Sequence, residues 1–205
     1  MTPRLRKLGL ITHITSSLGW LGALAAFLVL SIAGLTSQEV ETVRGAYLAM
    51  NLIAVFVIVP LSFAALATGF IQALGTEWGL LRHYWILVKL LLTIFATVVL
   101  LVKVPLIGSV ARRAAAMTSP GADLRADGRQ LAVHAAGGLL VLLVITILSV
   151  FKPWGKIHYA RGKQQEAAAG GLSVGAKILL AVIGVIVVAF MILHVMTGGL
   201  GHHAH

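Results

Sequence analysis

The chain has 205 residues, of which 59% are hydrophobic and 11% charged, with a formal net charge of +10. Soluble domains carry about 25% charged residues, so this composition excludes a soluble globular domain, and its hydrophobicity excludes intrinsic disorder. The excess of Lys and Arg would point to nucleic acid on a soluble chain. Here it is read as loop charge that sets topology and meets anionic lipid, so no nucleic-acid partner is expected. No cysteine is present, which removes disulfides, thiolate metal sites and Fe–S clusters.

Five apolar blocks follow in chain order, at about 8–35, 46–74, 84–108, 131–151 and 172–197. Each reaches the roughly 20 residues that a transmembrane helix needs. The expected fold is therefore all-α, a single domain of five transmembrane helices. The first block begins basic, at Arg4, Arg6 and Lys7. It is read as a retained helix rather than a cleaved signal, because it is long and polar from Thr12 to Ser17. Small residues (Gly19, Gly22, Ala23, Gly137, Gly138, Gly184) permit close helix approach.

With a cytoplasmic N-terminus, the inner loops hold Arg4, Arg6, Lys7, Arg82, Lys152, Lys156, Arg161, Lys163 and Lys177. The outer loops hold Arg44, Lys103, Arg112, Arg113, Arg125 and Arg129. The positive-inside rule then favours N-in and C-out in a bacterial cytoplasmic membrane. On this reading Lys89 is the one charge within a span. The segment from Lys152 to Gly171, with Pro153, Trp154 and Tyr159, reads as a basic aromatic surface.

Ionisable groups inside spans are functional candidates. His13, Ser17 and Trp20 recur at i, i+4 and i+7, on one helix face. The third block opens with Arg82, His83, Tyr84 and Trp85 and continues to Lys89, so the inner leaflet would collect His13, Ser17, Trp20, His83, Trp85 and Lys89. His134 and His194 fall at similar outer depths, with Gly138 one turn from His134 as possible room for a flat macrocycle. Haem iron takes axial imidazoles from opposite faces of the ring. The pairs His13 with His83, and His134 with His194, fit two b-type haems stacked as an electron path, with a quinone or other redox partner. The tail residues His202, His203 and His205 are a candidate copper or zinc site. Motifs for metalloproteases, P-loops, dinucleotide binding and c-type haem are absent from the sequence. The few carboxylates lie in loops, which gives no basis for an acid/base pair.

The run Gly75-Thr76-Glu77-Trp78-Gly79-Leu80-Leu81-Arg82-His83-Tyr84-Trp85, followed by Lys89, resembles a largely actinobacterial family of integral membrane proteins of unknown function. His13, Ser17, Trp20 and Gly22, together with Pro60, Thr68 and Gly69, carry the same likeness. Glu77 stands where that family's pattern has Pro. More loosely, His13 with Trp20 and Gly22, and Trp85 with Lys89, resemble HemJ-type protoporphyrinogen oxidases and CopD-type copper-resistance proteins. The HemJ-type likeness implies a haem role for His13 and a matching third-helix lysine at Lys89. Three functions stay open: a haem-binding electron-transfer or redox protein, a copper-handling or small-molecule transport protein, and a cofactor-free structural or regulatory bundle.

Overall fold

The computed structural model describes residues 3–75, 84–119 and 121–151. Within them every element is helical: α1 (Pro3–Thr36), α2 (Val40–Ile53), a π-helical turn (Ala54–Ile58), α3 (Val59–Gly75), α4 (Tyr84–Ala116) and α5 (Ala122–Phe151). α2, the π turn and α3 form one continuous rod. The result is four spans long and apolar enough to cross a membrane. The fifth apolar block, at about 172–197, lies outside the described residues.

The helices outrun the apolar blocks that reveal them. α1 begins at Pro3, α2 at Val40 and α5 at Ala122, and α4 continues past Gly108 to Ala116. These added turns are polar or alanine-rich and invisible to a hydropathy reading, yet good helix formers. Asp123 in the first turn of α5 also suits the positive end of the helix dipole.

The spans pack as a ring. The backbone of α1 lies beside α2, α3 and α5, that of α4 lies beside α2, α3 and α5, and α1 and α4 face each other across the ring. Short connections at 37–39 and 117–121 join antiparallel neighbours. The outside of the ring is apolar: Phe56, Leu140, Val102 and Val150 are each at least 65% exposed. An apolar surface of that extent suits lipid rather than water. Inside, close approach supplies the packing that hydrophobicity cannot supply in a bilayer. A Cβ on Gly19 would sit 3.0 Å from Leu61, and one on Gly138 would sit 3.1 Å from Leu24.

Two prolines distort the spans. Pro60 has no N–H, so the Phe56 carbonyl loses its α-helical donor. The chain takes a wider turn just before it, with the Val59 N–H donating to the Ala54 carbonyl five residues back. Pro105 lies inside α4, which continues past it, and leaves the Leu101 carbonyl without a helical donor.

The end of the bundle that carries the 37–39 and 117–121 connections is polar. Arg44 donates to the Met117 carbonyl at 2.8 Å and the Ala114 carbonyl at 3.4 Å, and pairs with Glu41 at 2.8 Å. It thereby closes the C-terminus of α4, where a cation also meets the negative dipole end. Arg113 pairs with Asp127, and Arg125 donates to Gln38. Arg44→Ala should lower the melting point in detergent, by a stability loss of about 1–2 kcal/mol for the lost charge-assisted bonds. Arg44→Lys should recover only part of it, because an ammonium cannot fork between two carbonyls. Unchanged melting of Arg44→Ala would show that this cap contributes nothing.

Candidate functional site

The sequence-level candidates separate into two groups along the bundle. The first lies on the α1–α3 seam. His13 is half-buried, and its Nδ1 sits 3.1 Å from both the Ala65 carbonyl and Thr68 Oγ1. A carbonyl only accepts, so Nδ1 carries the proton. Thr68 in turn donates to the Ala64 carbonyl at 2.6 Å and so accepts from His13. A Cβ on Gly69 would lie 3.2 Å from the His13 ring, which explains the small residue there. One turn further, Gln72 donates to the Gly9 carbonyl at 2.8 Å. Lys89 on α4 lies within electrostatic reach of His13. Thr68 and the Ala65 carbonyl hold the imidazole, and Gln72 ties α3 to α1 one turn away. Thr68 stood out only through a family likeness and Gln72 not at all, since neither has a charge or a metal-ligand pattern.

Ser17 is half-buried, whereas its neighbour Ser16 is buried and donates to the His13 carbonyl at 3.1 Å. Trp20 does not join His13 in a common site. It points instead into the second group.

That second group is a cavity of about 70 Å³ between α1, the π turn, α4 and α5. Its walls include Trp20, Leu24, Phe27, Ile58, Phe95, Ala96, Ile107, Leu131 and Ala135, and its polar side chains are Lys103 and His134. The distorted positions frame it. Ile58 ends the π turn, Lys103 and Ile107 flank Pro105, and Gly137 and Gly138 lie on α5. The two glycines are not equivalent. Gly138 is filled from across the bundle by Leu24, whereas a Cβ on Gly137 would meet nothing within 4 Å. The open position is therefore Gly137, not the expected Gly138.

Lys103 is the main correction. A placement in an outer loop does not hold, because α4 runs unbroken from Tyr84 to Ala116 and Lys103 lines the cavity from within it. About 14 Å of helix rise separate it from Arg112, in the polar end of α4. Its charge therefore belongs to the bundle, together with that of Lys89. All four described acids, Glu39, Glu41, Asp123 and Asp127, lie at the polar end. Among the described residues the spans contain no carboxylate at the level of Lys103.

His134 donates from Nδ1 to the Gln130 carbonyl at 2.7 Å, one turn earlier in α5, and its Nε2 is buried. Gly138 packs on Leu24, so His134 lies near the level of Phe27, about 20 Å of helix rise from His13. These two imidazoles cannot share an iron. The partners expected for each, His83 and His194, lie outside the described residues, as do His202, His203 and His205 of the tail and the Lys152–Gly171 segment. Trp85 is within α4, but its side chain is outside the described set. Among the described residues no three His, Asp or Glu side chains converge to hold a metal ion.

Fold and site together define a polytopic helical bundle with a largely apolar internal cavity bearing one lysine and one histidine. Comparison with known protein families, curated proteins and solved structures gives no match.

Proposed function

We propose that this chain is an integral membrane protein that binds a small molecule inside the bundle, as a receptor or carrier, in the cavity shared by Lys103 and His134. One observation carries the reading: a cation and an imidazole converge on an otherwise apolar space within the spans. Ionisable groups at such depth are costly and mark ligand or ion pathways. Sites at mid-membrane beside broken helices are also how many carriers hold their substrates. The broader topology is a five-span, multi-pass arrangement in a bacterial cytoplasmic membrane, with the N-terminus inside and the C-terminus outside.

The test fills the cavity. Gly137→Leu adds a side chain at a lining position where a Cβ meets nothing within 4 Å. Mass spectrometry of extracts from gently purified protein should detect a co-purifying small molecule in the wild type and not in Gly137→Leu. Identical extracts would overturn the proposal.

A second reading, b-type haem with a quinone or similar redox partner, keeps one favourable observation. An imidazole whose Nδ1–H is held by a backbone carbonyl presents Nε2 to a metal, the usual outer-shell arrangement of a histidine ligand. Against it stands size, because sites for drug-sized ligands span about 300–1,000 Å³ and this cavity holds about 70 Å³. A Soret band in protein from haem-replete cells, lost in His134→Ala, supports the haem reading. A colourless preparation ends it.

A further inference from the structure

We infer that the ligand of this cavity is an acidic amphiphile, a molecule with one carboxylate on an apolar chain or ring. The inference rests on the cavity being a binding site, as proposed above. Lys103 brings a cation to the cavity, and the described acids lie at the polar end of the bundle, away from it. A charge in a low-dielectric interior is tolerated when an opposite charge meets it. Among the described residues no carboxylate lies at its level, and a ligand carboxylate would supply the opposite charge.

The number of charges narrows the class. One lysine matches a monoanion such as a carboxylate. A phosphate monoester carries nearly two charges at neutral pH. His134 lines the same space, with its Nδ1 donating to the Gln130 carbonyl. The rest of the lining is apolar and aromatic, with Trp20, Phe27 and Phe95, which suits a hydrocarbon body. The volume agrees with a head group rather than a whole molecule. One water needs about 10–15 Å³ measured this way, so 70 Å³ admits a carboxylate and the first part of its chain.

The test uses the full-length protein in nanodiscs of zwitterionic lipid. The probes are a brominated fatty acid and its methyl ester, read by saturable quenching of tryptophan fluorescence. The ester keeps the chain and the carbonyl acceptor but not the charge, so it also stands in for neutral carbonyl ligands such as quinones. The acid should bind at least about tenfold tighter than the ester, the size of one charge-assisted hydrogen bond. Lys103→Gln should weaken the acid to the level of the ester and leave the ester unchanged. Gly137→Leu should abolish saturable quenching by both. Equal binding of acid and ester, lost in Gly137→Leu, would overturn the acidic class while keeping the cavity as a site. Saturable binding untouched by Gly137→Leu, or none by either probe, would overturn both.

Discussion

Gly128→Ala is expected to lower stability by about 1–3 kcal/mol, the usual range for overpacking a tight interior. The site is a notch between α1, α2 and α5 that holds Tyr47. Tyr47 is 1% exposed, and its ring lies against Gly34 on one side and Gly128 on the other. A Cβ on Gly128 would overlap the Tyr47 hydroxyl oxygen and approach Leu35 to 3.1 Å. A Cβ on Gly34 would meet ring carbons instead, the nearest at 3.0 Å. The hydroxyl finds no hydrogen-bond partner among the described residues. An unsatisfied buried hydroxyl costs about 1–3 kcal/mol, so Tyr47→Phe alone should be neutral or stabilising. Combined with Gly128→Ala it should restore part of the loss, because it removes the overlapping atom. Combined with Gly34→Ala it should restore nothing, because the ring stays. Thermal melts of the five single and double variants in detergent form two double-mutant cycles. Equal rescue of both glycine variants would show that Tyr47 is held in some other way.

What could be read in advance follows from the physics of each feature. Length and apolarity mark a span wherever the chain is alone with lipid, so the four described spans were legible as blocks. Their polar ends were not, because the helix of α4 beyond Gly108 or of α5 before Leu131 is made by propensity and capping rather than hydropathy. That same blindness misplaced Lys103. A hydropathy reading treats a lysine near the end of an apolar run as loop, whereas Arg112 and Arg113 are the residues that mark the polar boundary. His13 and His134 were legible because an ionisable residue in a span is conspicuous. What each touches was not. Grouping Trp20 with His13 by helical face was geometrically sound, but a shared face carries two depths, and α1 meets α3 at His13 and the cavity at Trp20. The cavity had no signature of its own. It arises from residues of four separate helical segments reaching the same space, and that coincidence exists only once the ring is assembled.

The same coincidence separates stability from function at Lys103. If the lysine serves a ligand, the ligand-free protein holds a cation near no carboxylate among the described residues. Lys103→Met keeps the length and apolar stem of the side chain and removes the charge. Placing a lysine at the centre of a spanning helix costs about 2.5–3.5 kcal/mol on insertion scales, and reach toward the surface or cavity water relieves part of that. The ligand-free Met variant should therefore be more stable than the wild type by about 1 kcal/mol, a rise of about 2–4 °C in melting temperature for a chain of this size. It should also lose preference for the acidic probe. Stability gained together with binding lost is the mark of a strained functional group. Lys103→Glu, which leaves a half-buried charge of the opposite sign, should be destabilised in the same assay. A Met variant that melts below the wild type without ligand would assign Lys103 to the architecture of the bundle, and the cavity would lose its claim to a charged ligand.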